Sequence, residues 1–507
     1  MTDAATIVAD RPRAGASAPL AKGEIAVGVL IVGAGFSGLA MALECEAARL
    51  DWRLVEAHDR PGGTWALNTY PGAACDVPSH LYHLARRPHA GWSRAFAPAP
   101  EIADYAARIA AEPAIAARIG YRTRMVRADW DGGWHVRLAG PDGERVVRAT
   151  RLALATGMLH VPRRPDLPGL HAFDGPVMHT AEWDAGFEAE GRRVAVIGTG
   201  ASAVQVVPEL ARQAASLALH QRSAPWVVAK SDPAFGRRAA LFRALPPARA
   251  LYRQWLYRFH EMRHMVWRGH ERAVDWAEAM ARDTMERAIA DPALREALAP
   301  RYRIGCKRIL QSSDYYPALA RPNVEVVTGG IEAVTPRGIV AGGVERPADA
   351  IVLATGFRVA EAAGLDVRGL GGRTLREAWA ERPAAHAGTY PRGFPDMAVL
   401  LGPGTALGHN SVVLMAEAQA RHAARLWARL DRDGAGPVQP REGAQAAWLD
   451  ELDAMAARTV WGLAPGAGGC ASWYHDRAGR PSIAWPGTVG QFRRRLARVR
   501  AADYEPV

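Results

Sequence analysis

Two glycine-rich turns constrain this 507-residue chain more than any other feature. The first, Gly33-Ala34-Gly35-Phe36-Ser37-Gly38, follows the apolar run Ile25–Val32. The second, Gly198-Thr199-Gly200-Ala201-Ser202-Ala203, follows the apolar run Val194–Ile197. In a strand–turn–helix unit the first glycine allows a tight turn, the second lets a pyrophosphate approach the backbone, and the third small residue allows close helix–strand packing. The sequence therefore predicts an α/β protein with two Rossmann-like dinucleotide-binding domains.

The first unit carries an acidic residue where an adenosine would lie. Its second predicted strand, Arg53–Val55, ends in Glu56, and a carboxylate at this point accepts hydrogen bonds from ribose hydroxyls. A glycine turn that binds no ligand is the alternative, but it does not explain why strand, helix and acid coincide. We therefore expect Gly33, Gly35, Gly38 and Glu56 to bind FAD.

The second unit lacks that acid. Its second predicted strand, Leu217–His220, is followed by Gln221-Arg222-Ser223. A carboxylate would repel the 2′-phosphate of NADPH, whereas Arg222 can pair with it and Ser223 can donate a hydrogen bond to it. A solvated surface arginine is the alternative for Arg222. We expect this unit to bind NADPH.

The two units predict domains that are interleaved along the chain. We expect a flexible tail (1–24), the first part of the FAD-binding domain (25–165), the first part of the NADP-binding domain (166–230), a helical insertion (231–300), the second part of the NADP-binding domain (301–375) and the second part of the FAD-binding domain (376–507).

In the insertion, Leu251, Trp255, Phe259, Met262 and Val266 recur at helical spacing. We expect this face to belong to the core of an inserted subdomain. A helix face that rests on a membrane surface or on a partner protein is the alternative.

Composition excludes several classes of protein. No run of 18 apolar residues occurs, so we expect no membrane span, and the N-terminal residues lack the apolar stretch of a signal peptide, which favours a cytoplasmic enzyme. The four cysteines form no CxxC pair, so we expect reduced thiols and no metal site. The net charge of +11 is spread along the chain and does not predict nucleic-acid binding. We expect a monomer or homodimer.

Two longer motifs narrow the class further. Residues 62–76, Gly62-Gly63-Thr64-Trp65-Ala66-Leu67-Asn68-Thr69-Tyr70-Pro71-Gly72-Ala73-Ala74-Cys75-Asp76, resemble the pattern GGxWxxxxYPGxxxD. Residues 173–184, Phe173-Asp174-Gly175-Pro176-Val177-Met178-His179-Thr180-Ala181-Glu182-Trp183-Asp184, resemble FxGxxxHxxxWD. From Val27 to about Pro486 the chain is similar to type I Baeyer–Villiger monooxygenases, and residues 404–411 resemble the branch that includes 4-hydroxyacetophenone monooxygenases.

This resemblance implies an enzyme that uses FAD, NADPH and O2 to convert a small-molecule ketone to an ester or lactone through a flavin peroxide. It matches Arg308 to the family's active-site arginine and Asp76 to the carboxylate that holds it. A permanently charged guanidinium can stabilise negative charge that develops during the reaction. Lys307 matches a residue that reaches the 2′-phosphate of NADPH, and Trp473 matches a loop tryptophan that covers the nicotinamide cofactor.

The resemblance also assigns the two longer motifs. It places Thr64, Trp65 and Asp76 among the cofactor-binding residues. The second motif is expected to form a hinge between the domains, and its residues are not expected to act as acid or base. These hinge residues are Phe173, Gly175, His179, Trp183 and Asp184.

Two other functions remain open at this point. A flavin-containing monooxygenase that oxidises nitrogen or sulfur centres shares both dinucleotide motifs and does not need Arg308. A flavin reductase that never oxygenates its substrate is a further alternative, although its usual mark, a pair of redox cysteines, is missing from the sequence.

Overall fold

The first glycine-rich turn joins a strand to a helix at the centre of the first domain. The computed structural model describes residues 25–359, 364–464, 468–469, 472–476 and 478–507. The helices and strands before residue 160 are β1 (Ile25–Val32), α1 (Phe36–Ala48), β2 (Trp52–Val55), α2 (Thr64–Leu67), α3 (Ala99–Ala110), α4 (Pro113–Ala116), β3 (Ile119–Gly120), β4 (Arg124–Trp130), β5 (Trp134–Gly140) and β6 (Gly143–Leu154). β1 is buried over nearly its whole length because strands flank it on both sides and helix α1 covers one face.

The second glycine-rich turn opens the second domain in the same way. The elements up to the insertion are β7 (Val177–His179), β8 (Arg193–Ile197), α5 (Ala201–Gln213), β9 (Ser216–His220) and β10 (Val227–Val228). The insertion itself is helical and comprises α6 (Arg237–Ala244), α7 (Pro246–Met262), α8 (His264–Trp267), α9 (Glu271–Ala288) and α10 (Pro292–Ala297).

After the insertion the chain completes the second domain. Its elements are β11 (Leu310–Gln311), α11 (Tyr315–Leu319), β12 (Val324–Val327), β13 (Ile331–Thr335), β14 (Gly338–Ala341), β15 (Val344–Pro347) and β16 (Ala350–Leu353). The main sheet is parallel, in the order β12-β9-β8-β16-β7. β13, β14 and β15 form a separate antiparallel sheet, and β10 pairs with β11 beside the insertion.

The remaining elements return to the first domain. They are β17 (Asp366–Arg368), α12 (Leu375–Ala378), β18 (Met397–Val399), α13 (Val412–Asp433), β19 (Val438–Pro440), α14 (Glu442–Ala456), α15 (Val489–Arg495) and β20 (Tyr504–Pro506). The first sheet has the order β17-β4-β5-β6-β1-β2-β3, and β18 also pairs with β6. Because β17 already lies in this sheet, the chain re-enters the first domain earlier than the expected boundary at residue 375.

The insertion packs with the opposite side from the one that its sequence pattern suggested. Of the five apolar residues expected in its core, Val266 is buried, but the first four are exposed. α7 instead buries Leu256 and His260, and Leu256 joins the hydrophobic core of the first domain. The expectation of a core face was therefore wrong for these four residues, because α7 is apolar on two sides and periodicity does not say which side finds a neighbour. Within the described ranges, every helix is too short or too polar to cross a lipid bilayer.

Candidate active site

The first glycine-rich turn is so closely packed that only glycine fits at two positions. Gly33 has a φ of 107°, and a Cβ there would lie 2.7 Å from the carbonyl oxygen of Ala155. A Cβ on Gly38 would lie 1.8 Å from the carbonyl oxygen of Gly33. Helix α1 therefore approaches β1 backbone to backbone, as the spacing of the motif predicts.

The start of α1 is suited to a phosphate. Its N-cap residue, Gly35, supplies no side-chain hydrogen bond, so the first N–H groups of the helix face outward with the positive end of the helix dipole. Buried Glu56 lies beside the turn, where its Oε2 accepts a hydrogen bond from the Ala34 N–H at 2.7 Å and its Oε1 from the His58 N–H at 2.9 Å. Each carboxylate oxygen keeps a further lone pair for a hydroxyl. These groups fit the pyrophosphate and ribose of FAD.

The backbone at Gly63 packs against Gly35 of the first glycine-rich turn. Gly63 has a φ of 53°, and a Cβ on it would lie 3.1 Å from the Gly35 Cα. Thr64 follows at the start of α2 and is exposed. Half-buried Trp65 donates a hydrogen bond from its Nε1 to the Tyr82 hydroxyl at 3.2 Å. Thr64 and Trp65 thus lie next to the turn that fits FAD.

The segment that leads to Asp76 is bound to the second domain. The Tyr70 hydroxyl donates to the Oε1 of Gln205 in α5 at 2.8 Å, and the Gln205 amide donates to the Ala74 carbonyl at 2.9 Å. A Cβ on Gly72 would lie 2.5 Å from the Gln205 carbonyl oxygen. The two domains therefore meet backbone to backbone at this turn. Sequence reasoning missed Gln205, because nothing in its local pattern marks a contact with a segment so far away.

The second glycine-rich turn repeats the first with one informative difference. Gly198 has a φ of 112°, and its Cβ would lie 2.4 Å from the carbonyl oxygen of Ala354. Ala203 is fully buried against the strand. A Cβ on Gly200 would meet no atom within 4 Å, so the space in front of α5 is open, and half-buried Ser202 lies in the first turn of that helix. This open approach fits a second pyrophosphate.

Arg222, Ser223 and Lys307 meet beside this turn. The Lys307 ammonium donates to the Ser223 hydroxyl at 2.9 Å, and Arg222 is exposed nearby. Burial and the positive charge of Arg222 together lower the pKa of Lys307 below its ordinary value. Two cations and a hydroxyl without an intervening carboxylate form a site for a phosphate group. Sequence reasoning named all three residues.

Asp76 and Arg308 form a two-point ion pair. The Arg308 Nε donates to Asp76 Oδ2 at 2.8 Å and its Nη2 donates to Oδ1 at 2.6 Å. Burial opposes ionisation of Asp76, but the charge and hydrogen bonds of Arg308, with the charge of Lys230, hold the pKa of this carboxyl below its ordinary value. Asp76 in turn raises the pKa of Arg308. Gln311 also fixes the loop, because its side-chain amide donates to the Asp76 carbonyl at 3.0 Å.

Two aromatic residues lie close to this pair. Tyr474 is completely buried, and its hydroxyl lies close enough to Arg308 to interact with the charge of the guanidinium. The Trp473 ring is half-buried and packs on it with ring centroids 4.1 Å apart. The sequence singled out Trp473 but not Tyr474, although a buried hydroxyl near a guanidinium is the more unusual feature.

The residues of the second long motif are all used to join strands and loops. Fully buried His179 donates from Nε2 to the Gly356 carbonyl at 3.0 Å and accepts at Nδ1 from the Ala181 N–H at 3.1 Å. Because both ring nitrogens are engaged and burial lowers its pKa, this side chain is not a free acid or base. The other residues of the motif make contacts of their own. Phe173 is buried, and a Cβ on Gly175 would lie 2.4 Å from the Asp349 carbonyl oxygen. The Trp183 ring lies edge-on to Phe187, and Asp184 accepts a hydrogen bond from the Gly186 N–H.

The cysteines depart from expectation at one position. Cys45 and Cys75 are buried free thiols, but Cys306 is disulfide-bonded. The expectation of reduced thiols is therefore wrong for Cys306. A search for CxxC spacing finds only bonds between close neighbours in sequence and does not detect a bond that the fold creates.

Comparison with known proteins agrees with this geometry. Residues 31–98 match the family model of NAD(P)-binding Rossmann-like domains, and residues 101–237 match that of flavin-binding monooxygenase-like proteins. A Baeyer–Villiger monooxygenase of Streptomyces coelicolor is 40% identical over 94% of this chain and 92% of its own length. Another, from Pseudomonas aeruginosa, is 38% identical over 94% of this chain and 90% of its own.

The solved structures lead to the same family. A steroid monooxygenase bound to NADP superposes with a TM-score of 0.84 at 30% identity, over 95% of this chain and 99% of that one. The prediction of two Rossmann-like domains is thereby confirmed, as is the prediction of an NADPH-dependent flavoprotein monooxygenase with FAD as its flavin. The chain belongs to the type I Baeyer–Villiger monooxygenases.

Proposed function

We propose that this enzyme inserts one oxygen atom from O2 beside the carbonyl carbon of a ketone and releases an ester or lactone. The ion pair of Asp76 and Arg308 is the observation that carries the proposal. Residues 62–76 connect it to the turn that fits FAD, and Lys307 connects it to the cluster that fits NADPH. A guanidinium held at the meeting point of both cofactors is what oxygen insertion beside a carbonyl requires, because negative charge develops there.

Residues of the second domain hold NADPH in this proposal. The open N-terminus of α5 at Gly200 receives the pyrophosphate. Arg222, Ser223 and Lys307 bind the 2′-phosphate. Because these groups carry positive charge and no carboxylate stands between them, they favour NADPH over NADH.

Arg308 stabilises the negative charge that develops during the reaction, and Asp76 holds the Arg308 guanidinium in position. When bound, FAD accepts the hydride of NADPH and activates O2. Asp76 occupies the Nε and Nη2 edge of the guanidinium, which leaves the Nη1 N–H groups for the substrate oxygen. Such a donor contributes on the order of 3 kcal/mol to lowering a barrier. Trp473 and buried Tyr474 exclude water from this side of the site.

A product assay tests the reaction. Purified enzyme loaded with FAD is given NADPH, isotopically heavy O2 and a set of linear, cyclic and aryl ketones, and products are analysed by mass spectrometry. We expect an ester or lactone that carries one heavy oxygen atom. If every ketone is left intact while NADPH is consumed, or if only sulfides and amines gain oxygen, the proposal is wrong.

Three further points complete the proposal. We place the enzyme in the cytoplasm, where NADPH is regenerated, as a monomer or homodimer without a nucleic-acid partner. The assignment to the 4-hydroxyacetophenone monooxygenase branch stays a prediction, and the aryl ketones of the assay address it directly.

A further inference from the structure

Helix α7 presents a row of large apolar side chains to solvent. Leu251, Trp255, Phe259 and Met262 are 72%, 57%, 45% and 59% exposed. Their spacing of four, four and three residues places them on one side of the helix. A large exposed apolar patch on a protein usually marks a site that contacts another protein, a ligand or a membrane. We call these four residues the α7 apolar face.

Ring stacking orders the α7 apolar face. The Trp255 ring stacks on Tyr252 with centroids 5.9 Å apart and planes at 17°, and on Phe259 at 5.7 Å and 15°. The other side of the helix is anchored, because His260 is buried and its Nδ1 contacts the His409 carbonyl at 3.1 Å. The face is therefore presented by a fixed helix, which lowers the entropy cost of docking.

The segment that carries the α7 apolar face is almost entirely positive in charge. From Arg237 to Arg268 the only acidic residue is Glu261, whose carboxylate already accepts hydrogen bonds from Asn410 and from the backbone of Val489. Five arginines of this stretch are exposed and form no ion pair with any carboxylate in the described ranges: Arg237, Arg238, Arg243, Arg258 and Arg268.

We propose that α6, α7 and α8 dock on the surface of an anionic phospholipid bilayer, with Trp255 and Phe259 at the boundary between headgroups and acyl chains. An apolar stripe with aromatic residues, bordered by unpaired arginines, is the composition of a helix that lies in this interface. The arginines supply the attraction to anionic headgroups. A second copy of this chain fits less well, because a symmetric contact would bring the same arginines against each other.

Vesicle binding tests the proposal. The full-length, FAD-loaded enzyme is sedimented with vesicles of phosphatidylcholine alone or mixed equally with phosphatidylglycerol. We expect it to pellet with the mixed vesicles, to pellet much less with phosphatidylcholine, and to be released by added salt. Failure to pellet with the mixed vesicles, or equal binding to both compositions, would overturn the proposal.

Matched variants identify the surface. Trp255→Ser/Phe259→Ser is expected to reduce the partition coefficient about tenfold or more, while the control Val126→Ser/Val146→Ser, which changes exposed valines of β4 and β6, leaves it unchanged. Both should consume NADPH like the wild type, which shows that they fold. Wild-type vesicle binding by the α7 variant contradicts the proposal.

The charge is tested in the same way. Arg243→Glu/Arg258→Glu should weaken binding to the mixed vesicles, and the control Arg337→Glu/Arg376→Glu, which changes exposed arginines elsewhere, should not. Equal effects of the two pairs would show that net charge alone acts and would overturn the assignment to this face. Light scattering that finds a dimer broken by Trp255→Ser/Phe259→Ser, together with no vesicle binding, would show that the face joins two copies and would also overturn it.

Discussion

The Oε1 of Gln205 accepts a hydrogen bond from the Tyr70 hydroxyl at 2.8 Å. This bond joins helix α5, which follows the second glycine-rich turn, to the segment that carries Asp76. Its amide also donates to the Ala74 carbonyl. Because Asp76 holds Arg308 by two hydrogen bonds, we expect binding of the nicotinamide cofactor and the position of the guanidinium to depend on the same contact. Gln205, which is neither acid, base nor nucleophile, therefore links the two halves of the site.

Replacing Gln205 by alanine is expected to uncouple cofactor use from oxygen insertion. The variant removes the hydrogen bonds that Gln205 makes to the Tyr70 hydroxyl and the Ala74 carbonyl, and each lost hydrogen bond costs about 1 kcal/mol. We expect less ester per NADPH consumed and more hydrogen peroxide released, measured together in one assay. Tyr70→Phe, which removes only one of these bonds, should show a smaller effect. Full coupling in the Gln205 variant would contradict the link between the domains.

The cluster formed by Arg222, Ser223 and Lys307 is expected to set the preference for NADPH over NADH. Arg222→Ala and Lys307→Ala each remove a charge-assisted hydrogen bond that contributes roughly 1.5–3 kcal/mol, so the KM for NADPH should rise about tenfold or more. The KM for NADH, which lacks the 2′-phosphate, should change little. Steady-state kinetics with both cofactors measures the ratio. A parallel rise in both KM values would mean that these residues act on the fold rather than on the phosphate.

The same cluster predicts a dependence on pH. Burial and the charge of Arg222 lower the pKa of Lys307, so its ammonium loses a proton at a lower pH than an ordinary lysine. The protonated form binds phosphate, and kcat/KM for NADPH should therefore fall as the pH rises through this lowered pKa. In Arg222→Ala one cause of the shift is gone, and the fall should move to higher pH. A fall at the same pH in both proteins would exclude Lys307 as the group that titrates.

The parts of the site that are local in sequence could be predicted, and the parts that the fold assembles could not. Gly38 is fixed by a contact with Gly33 inside its own strand–turn–helix unit, so the spacing of the motif already defines this geometry. The same spacing marks Gly33 and Gly198, but the carbonyls that exclude a side chain there, those of Ala155 and Ala354, come from segments far along the chain. The contact between Lys307 and Ser223 was accessible only through the family resemblance, because Ser223 lies in the loop after β9 and Lys307 in the loop before β11.

Other features had no signal in the sequence. The burial of Tyr474 beside Arg308 depends on a loop far along the chain. The orientation of α7 depends on which of its two apolar sides meets the first domain. Leu256 is buried and Trp255 is exposed because of what lies next to each side of the helix, and not because of their own hydropathy. Periodicity predicts that a helix is amphipathic but leaves open what each side contacts.

Arg308→Ala is expected to slow ketone oxygenation about a hundredfold while NADPH still reduces the bound FAD. Loss of the charge near the carbonyl costs on the order of 3 kcal/mol in the barrier, which is about a hundredfold in rate. Asp76→Asn, which keeps the arginine but weakens its hold, should retain more activity than Arg308→Ala. Anaerobic flavin reduction by NADPH, followed by absorbance, serves as the control. Wild-type ester formation by Arg308→Ala would refute the role of the ion pair.

Gly200→Ala separates cofactor binding from folding. Gly200 has a φ of −78°, which alanine adopts freely, and a Cβ there meets no protein atom within 4 Å. The free energy of unfolding in the absence of nucleotide should therefore stay within about 0.5 kcal/mol of the wild type. The methyl group nevertheless enters the space that the pyrophosphate must approach, so we expect the KM for NADPH to rise about tenfold or more and NADP⁺ no longer to raise Tm. Gly38→Ala is the matched contrast, because its Cβ would lie 1.8 Å from the Gly33 carbonyl oxygen and should lower Tm with or without nucleotide. An unchanged KM in Gly200→Ala would show that NADPH does not approach the backbone at this turn.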